Sequence, residues 1–167
     1  MVKGFFAILA VTCSISASPI TYTLTGALSG TLNGTAFSNA QVAVMLTGDT
    51  AGVVEDLGLL INPASSATFS ITGFGSGEFT ENVIAFANPV QFQDWAYAGV
   101  LPADRRQNTG ITLRDAAFIG WDLVSSLGPV SALVNFTGGQ FATTLGTLDL
   151  PADNLGHHPI AVSGWFR

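Results

Sequence analysis

ITYTLT, residues 20–25, alternates strictly, with Ile20, Tyr22 and Leu24 on one parity and Thr21, Thr23 and Thr25 on the other. Successive side chains of a strand point to opposite faces, so this spacing predicts a strand with one buried and one hydroxyl-bearing face. Asn33-Gly34 follows it. Both residue types tolerate the positive φ of a type I′ turn, so the dipeptide predicts a tight hairpin. The return strand should include residues 41–47, with Val42, Val44 and Leu46 sharing the inward face.

The same reading extends outward along the chain. Residues 57–61 form a strand that ends at the turn pair Asn62-Pro63, and residues 67–72 form another, with Phe69 and Ile71 inward. Gly73, Gly75 and Gly77 mark a turn. Residues 79–87 are apolar on both parities in their second half, as a central strand requires, until Asn88-Pro89 breaks them. In residues 90–97 the apolar parity changes between Phe92 and Trp95. A bulge near Gln93-Asp94 would place Trp95 and Tyr97 on the face of Phe92. Residues 99–110 read as the longest polar loop. Residues 118–124, 131–136, 141–150 and 160–166 read as strands, with a bulge at Gly146. Gly26, Gly30 and Gly34 lie among threonines, which predicts bulges or close sheet packing, not a helix seam. No segment carries a sustained helical stripe, and at most one helical turn fits residues 114–117. The expected architecture is all-β: a single-domain antiparallel two-sheet sandwich, jelly-roll or immunoglobulin-like, of about 9–10 strands.

The start of the chain has a different character. Lys3 precedes an apolar run over residues 5–11, and small residues then lead to Ser18. A cation, a short apolar segment and a small-residue exit predict a secretory signal over residues 1–17, followed by a domain over residues 18–167. The run is shorter than the roughly 20 residues that span a bilayer. A buried N-terminal strand is the plainer alternative. A second alternative is lipid attachment at Cys13, although Ala10-Val11-Thr12 is a poor lipidation box. Cleavage after Ala17 would leave a domain without cysteine, and so without disulfides or thiolate chemistry.

Charged residues make up only 10% of the sequence and the formal net charge is −6. Loss of Lys3 would leave Arg105, Arg106, Arg114 and Arg167 as the basic side chains. Nucleic acid and anionic bilayers both require a basic surface, so neither is expected as a partner. No stretch beyond the leader is apolar for 18 residues, so no membrane helix is expected. A secreted or cell-surface location follows from the leader.

Few residues suggest catalysis. His157-His158 could be metal ligands or a general base, but strand neighbours face opposite ways, and an exposed turn before Pro159 explains them. Gly75-Ser76-Gly77 lacks the spacing of a nucleophile elbow. Glu78 and Glu81 would face opposite sides of a strand, not flank a sugar. Asp49, Glu55 and Asp56 offer oxygen ligands for calcium without the spacing of a dedicated loop. No catalytic residue, metal site or cofactor is assigned. Trp95, Tyr97, Trp121 and Trp165 fall on expected strands, where aromatics either fill the core or form a flat platform for sugar rings. Trp95, Tyr97 and Trp121 are the candidate ligand-binding residues.

Two longer stretches carry a resemblance: ITYTLTGALSGTLNGTAFSNAQVAVMLTGDT, residues 20–50, and GWDLVSSLGPVSA with GQFATTLGTLDL, residues 120–132 and 139–150. Their order and wording resemble uncharacterised bacterial exported proteins of the PEP-CTERM-associated type. The resemblance implies an envelope or extracellular-matrix protein of a bacterium that makes exopolysaccharide, and it supplies no catalytic residues. The sorting tail of that group, with Pro-Glu-Pro, an apolar helix and an arginine cluster, is not seen in HHPIAVSGWFR, residues 157–167. The expected function is a non-enzymatic protein that acts through its β-surface, by self-association or by association with exopolysaccharide. The alternatives are a soluble carbohydrate-binding module and, further off, a hydrolase of unrecognised type.

Overall fold

The computed structural model describes residues 17–105, 109–153 and 159–165. Residues 1–16 of the expected leader, Cys13 among them, and the His157-His158 pair therefore lie outside the described residues, as do Arg106 and Arg167. Twelve strands are present among the described residues. They are β1 (Pro19–Leu32), β2 (Thr35–Asp49), β3 (Val54–Asp56), β4 (Leu59–Pro63), β5 (Ser66–Ile71) and β6 (Gly75–Glu78). The second half supplies β7 (Val83–Phe92), β8 (Trp95–Pro102), β9 (Gly110–Asp115), β10 (Val130–Thr143), β11 (Gly146–Asp153) and β12 (Pro159–Trp165). Two single 3-10 turns, Thr50–Gly52 and Ala116–Phe118, are the only helical pieces there. No helix among the described residues is long and apolar enough to cross a membrane.

The strands form one antiparallel, sandwich-like sheet in the order β3-β4-β7-β8-β9-β10-β11-β1-β2-β5-β6. β11 and β12 share one place in that order. β1 pairs β12 along residues 21–25 and β11 at Thr31 and Leu32, and β10 is divided between them in the same way. The two ends of the sheet meet at a corner between β4 and β5. Ala64 N–H donates to Val83 O (3.1 Å) on one side, and Ser65 N–H donates to Thr47 O (2.7 Å) on the other. Residues 59–71 thus act as one bent strand that passes from the β7 side to the β2 side and folds the sheet over its core.

The opening hairpin forms as its sequence predicts. Asn33 and Gly34 take φ of 48° and 80°, which closes β1 on β2 with Leu32 opposite Thr35. Ile20, Tyr22 and Leu24 are buried beside Val42, Val44 and Leu46, while the threonines of β1 stay partly exposed. The register shifts between Leu28 and Gly30, the bulge that the glycine spacing predicts. β7 is buried on both faces over residues 83–87. It starts later than residue 79 and passes through Asn88-Pro89 to Phe92, just as β4 includes Asn62-Pro63, so both Asn-Pro pairs lie within strands. Val83, Ala85 and Ala87 join the main core; Ile84 and Phe86 join a smaller outer cluster with Ile61, Leu59, Tyr97 and Leu101.

Several sequence expectations are corrected. The strand count is twelve, not nine or ten, because β3 and β6 are too short to show periodicity and β9 lies where a loop or a helical turn was expected. β8 runs to Pro102 and β9 starts at Gly110, so the polar connection is shorter than residues 99–110. Gln93-Asp94 is the turn of a β7–β8 hairpin and not a bulge: Gln93 takes φ of 59° and Phe92 pairs with Trp95. Likewise Gly146, with φ of 101°, leaves the turn at Thr144-Leu145 and opens β11. Residues 118–124 form no strand. Phe118, Trp121 and Leu123 are all buried, but the chain between them turns, with Leu123 at φ of 61°. Side-chain carboxylates stabilise these turns: Asp115 accepts from Ala117 N–H, and Asp122 accepts from the N–H groups of Val124 and Ser125.

Candidate functional site

β7, β8, β9 and β10 lie side by side, so residues in register form rows across the outer sheet face. One such row is Asn88, Tyr97, Arg114 and Leu133. Trp95 lies two residues before Tyr97 and so shares its face. The β7–β8 turn brings Phe92 opposite Trp95. The result is a contiguous aromatic strip. The ring centroids of Phe92 and Trp95 are 4.9 Å apart, and those of Trp95 and Tyr97 are 4.8 Å apart at an edge-on angle of 76°.

Water reaches this strip. Phe92 is 56% exposed and its neighbour Val90 is 67% exposed, while Trp95 and Tyr97 are half-buried. Leu133, at 40%, extends the apolar surface onto β10. The guanidinium of Arg114 lies over the Trp95 ring at 5.2 Å from its centroid, a cation–π contact. Asn88 ends the row on the other side, with its Oδ1 accepting from Val90 N–H at 3.2 Å. Gln91 Nε2 donates to Gln93 O and so braces the turn that presents Phe92.

Close strand approach positions the strip. A Cβ on Gly99 would sit 1.9 Å from Ile111 O, so only glycine lets β8 and β9 lie this close. The Phe86 ring covers the gap, 3.0 Å from that Cβ position, and thereby extends the outer cluster from the strip toward Ile61 and Ile84.

Trp121 is elsewhere. It is 8% exposed and packs in the core against Tyr22 (6.2 Å) and Phe118 (6.0 Å), with its Nε1–H bound to Ser125 O at 2.9 Å. Its ring does not join Trp95 and Tyr97 on one surface. Tyr22 donates to Leu123 O (2.8 Å) and accepts from Asn62 Nδ2 (2.8 Å), which also reaches Asp49 O (3.1 Å). Burial pushes the Tyr22 hydroxyl up to about 12. Asn62 is 1% exposed and its Oδ1 has no partner. Gly48 makes room for it, since a Cβ there would lie 2.9 Å from the amide. This network ties β1, β4 and the 119–129 loop together, and its role is structural.

The remaining polar candidates do not converge. Asp49 caps the first 3-10 turn through Ala51 N–H, and Asp56 pairs with Arg105 at 2.6 Å. Glu81 accepts from Ala142 N–H, whereas the Glu78 backbone N–H is held by Thr144 Oγ1. No three His, Cys, Asp or Glu side chains among the described residues are placed to hold a metal ion. Burial raises the affinity of the Asp122 carboxyl for its proton, but hydrogen bonds from Ser125 and Val124 outweigh it and hold the group below its usual range. A shallow groove of about 620 Å³ crosses β1, β2, β5 and β6, lined by Thr23, Met45, Thr68, Ser70 and Glu78. It carries hydroxyls but no clustered aromatic rings and no cation.

Comparison of the chain with family models, with curated proteins and with solved structures gives no match.

Proposed function

We propose that this is an exported, non-enzymatic binding domain of the bacterial envelope or extracellular matrix, which holds polysaccharide on its outer sheet face. One observation carries the reading: Phe92, Trp95 and Tyr97 form a continuous, partly exposed aromatic strip on a rigid sheet. Aromatic faces offer a sugar ring apolar contact at low entropic cost, and polar groups beside them fix its orientation. Asn88 and Arg114 supply those polar groups. The apolar leader with Lys3, the scarcity of charge and the resemblance to exported proteins support the location.

Self-association through sheet edges has less support. β3 is three residues long and carries Glu55 and Asp56, and β6 is four residues long with the β10–β11 turn bonded against its end. Short, charged or covered edges resist pairing with another chain.

The test is thermal unfolding of the protein with a panel of bacterial and plant polysaccharides, with Trp95→Ala alongside. A ligand at a hundred times its Kd should add roughly 2.7 kcal/mol, a shift of several degrees. A shift with one glycan class that Trp95→Ala abolishes supports the reading. No shift with any glycan, or a shift that Trp95→Ala leaves intact, overturns it.

A further inference from the structure

We infer that the ligand of the aromatic strip carries a carboxylate, so that the strip recognises uronic-acid-containing polysaccharide through Arg114. The inference rests on the polysaccharide reading above and names the chemistry that the reading leaves open. The protein is acidic, with a formal net charge of −6, and few cations offset that charge. One of them stands on the strip. Arg114 is in register with Tyr97 on β8 and with Leu133 on β10, and its guanidinium lies over the Trp95 ring. Among the described residues no carboxylate lies within ion-pairing distance of it. The ion pair formed there joins Arg105 to Asp56 instead.

An arginine with no carboxylate partner in the protein can take one from a ligand. Its setting suits carboxylate recognition. The Trp95 ring fixes the guanidinium in place, so less freedom is lost when a ligand binds. A planar guanidinium can give a carboxylate two parallel hydrogen bonds, stronger than those to a neutral hydroxyl. Leu133 and Tyr97 flank the group with apolar surface, which lowers the local dielectric and strengthens the pairing. Asn88 stands across Tyr97 with its Oδ1 engaged by Val90 N–H, which leaves the amide N–H groups as the donors it can offer a ligand. The aromatic rings then hold the sugar faces while Arg114 selects the acid. The negative charge of the rest of the protein limits non-specific attraction to polyanions, which confines recognition to this contact.

The experiment compares polygalacturonic acid with the same polymer after its carboxyl groups are reduced to neutral alcohols. Both are titrated against the wild-type protein, Arg114→Gln, Arg114→Lys and Trp95→Ala. The wild type should bind the acidic polymer about tenfold more tightly, the scale of one charge-assisted pair. Arg114→Gln should bind both polymers equally, at the wild-type affinity for the neutral one. Arg114→Lys should keep part of the preference, because its charge remains without the planar fork. The preference should shrink as salt rises from low to physiological ionic strength. Equal binding of both polymers by the wild type, or a preference that survives Arg114→Gln, overturns the inference. In either of those cases loss of binding in Trp95→Ala shows that the polysaccharide reading itself stands. If neither polymer nor any other glycan binds, both fall together.

Discussion

Two aromatic clusters, on opposite sides of the same sheet, show what decides the role of a large ring. The inner cluster holds Tyr22, Phe118 and Trp121. The outer one holds Phe92, Trp95 and Tyr97. Ring separations in the two differ by little more than an ångström, so packing distance alone does not distinguish them. The polar tips do. Inside, the Tyr22 hydroxyl and the Trp121 indole N–H are bound to backbone carbonyls of the 119–129 loop, and both rings are sealed from water. Outside, the polar companion is the cation of Arg114, and Phe92 is more than half exposed. A buried polar group without its partner is costly, so the inner tips are committed to the fold. The outer groups remain available.

The contrast is broken most directly at Trp121. Trp121→Ala removes a buried indole and leaves a cavity, and it should lower unfolding free energy by about 3–5 kcal/mol in chemical denaturation. The protein that remains folded should keep its glycan affinity. A larger effect of Trp121→Ala on affinity than on stability would reverse the assignment of the two clusters.

Tyr22 sharpens it next, through pH. Its folded value is raised from 10 to about 12, so the unfolded chain releases the proton first as pH rises. The stabilisation is complete below pH 10 and is lost between pH 10 and 12, by about 2 kcal/mol in denaturation at fixed pH steps. Tyr22→Phe removes the titration and should flatten that part of the profile. It also leaves Leu123 O and Asn62 Nδ2 short of a partner, so it should lose about 1–3 kcal/mol at neutral pH.

The outer cluster should give smaller effects on stability. Trp95→Ala loses partial burial and a cation–π contact, about 1 kcal/mol, yet it should abolish glycan binding. Phe92→Ser should move stability by no more than about 0.5 kcal/mol and still weaken binding severalfold, as measured by titration with the polymer found in the panel. Loss of stability should therefore rank the inner variants above the outer ones, and loss of affinity the outer variants above the inner ones.

Much of the fold was legible in residues 20–47, because one buried and one hydroxyl face impose period-two alternation and Asn33-Gly34 admits a single tight turn. β7 was legible for the opposite reason, since burial on both faces removes alternation. The sequence failed where irregular backbone is stabilised by side chains. Phe118, Trp121 and Leu123 look like a strand by composition, but Asp115 and Asp122 bind nearby N–H groups and turn the chain. At the site, Trp95 and Tyr97 were visible as candidates and their shared face with Phe92 was foreseen, though through a bulge and not a hairpin. Trp121 could not be separated from them, because parity on a false strand says nothing about which way a ring faces. Arg114 was missed as a site residue because β9 was not recognised, and its place beside Tyr97 exists only through β8–β9 pairing.

The place shared by β11 and β12 sets a temporal order on folding. β12 is the last of the described strands, and it inserts between β1, the first of them, and β10. Until it arrives, part of the edge of β1 and part of that of β10 remain unpaired. Contacts so distant along the chain form slowly, since a long loop must close before any pairing rewards it. A nascent chain cannot complete this sheet until residues 159–165 have been made. Delayed completion is compatible with the export proposed above, and it leaves two open edges at risk of aggregation until β12 is in place.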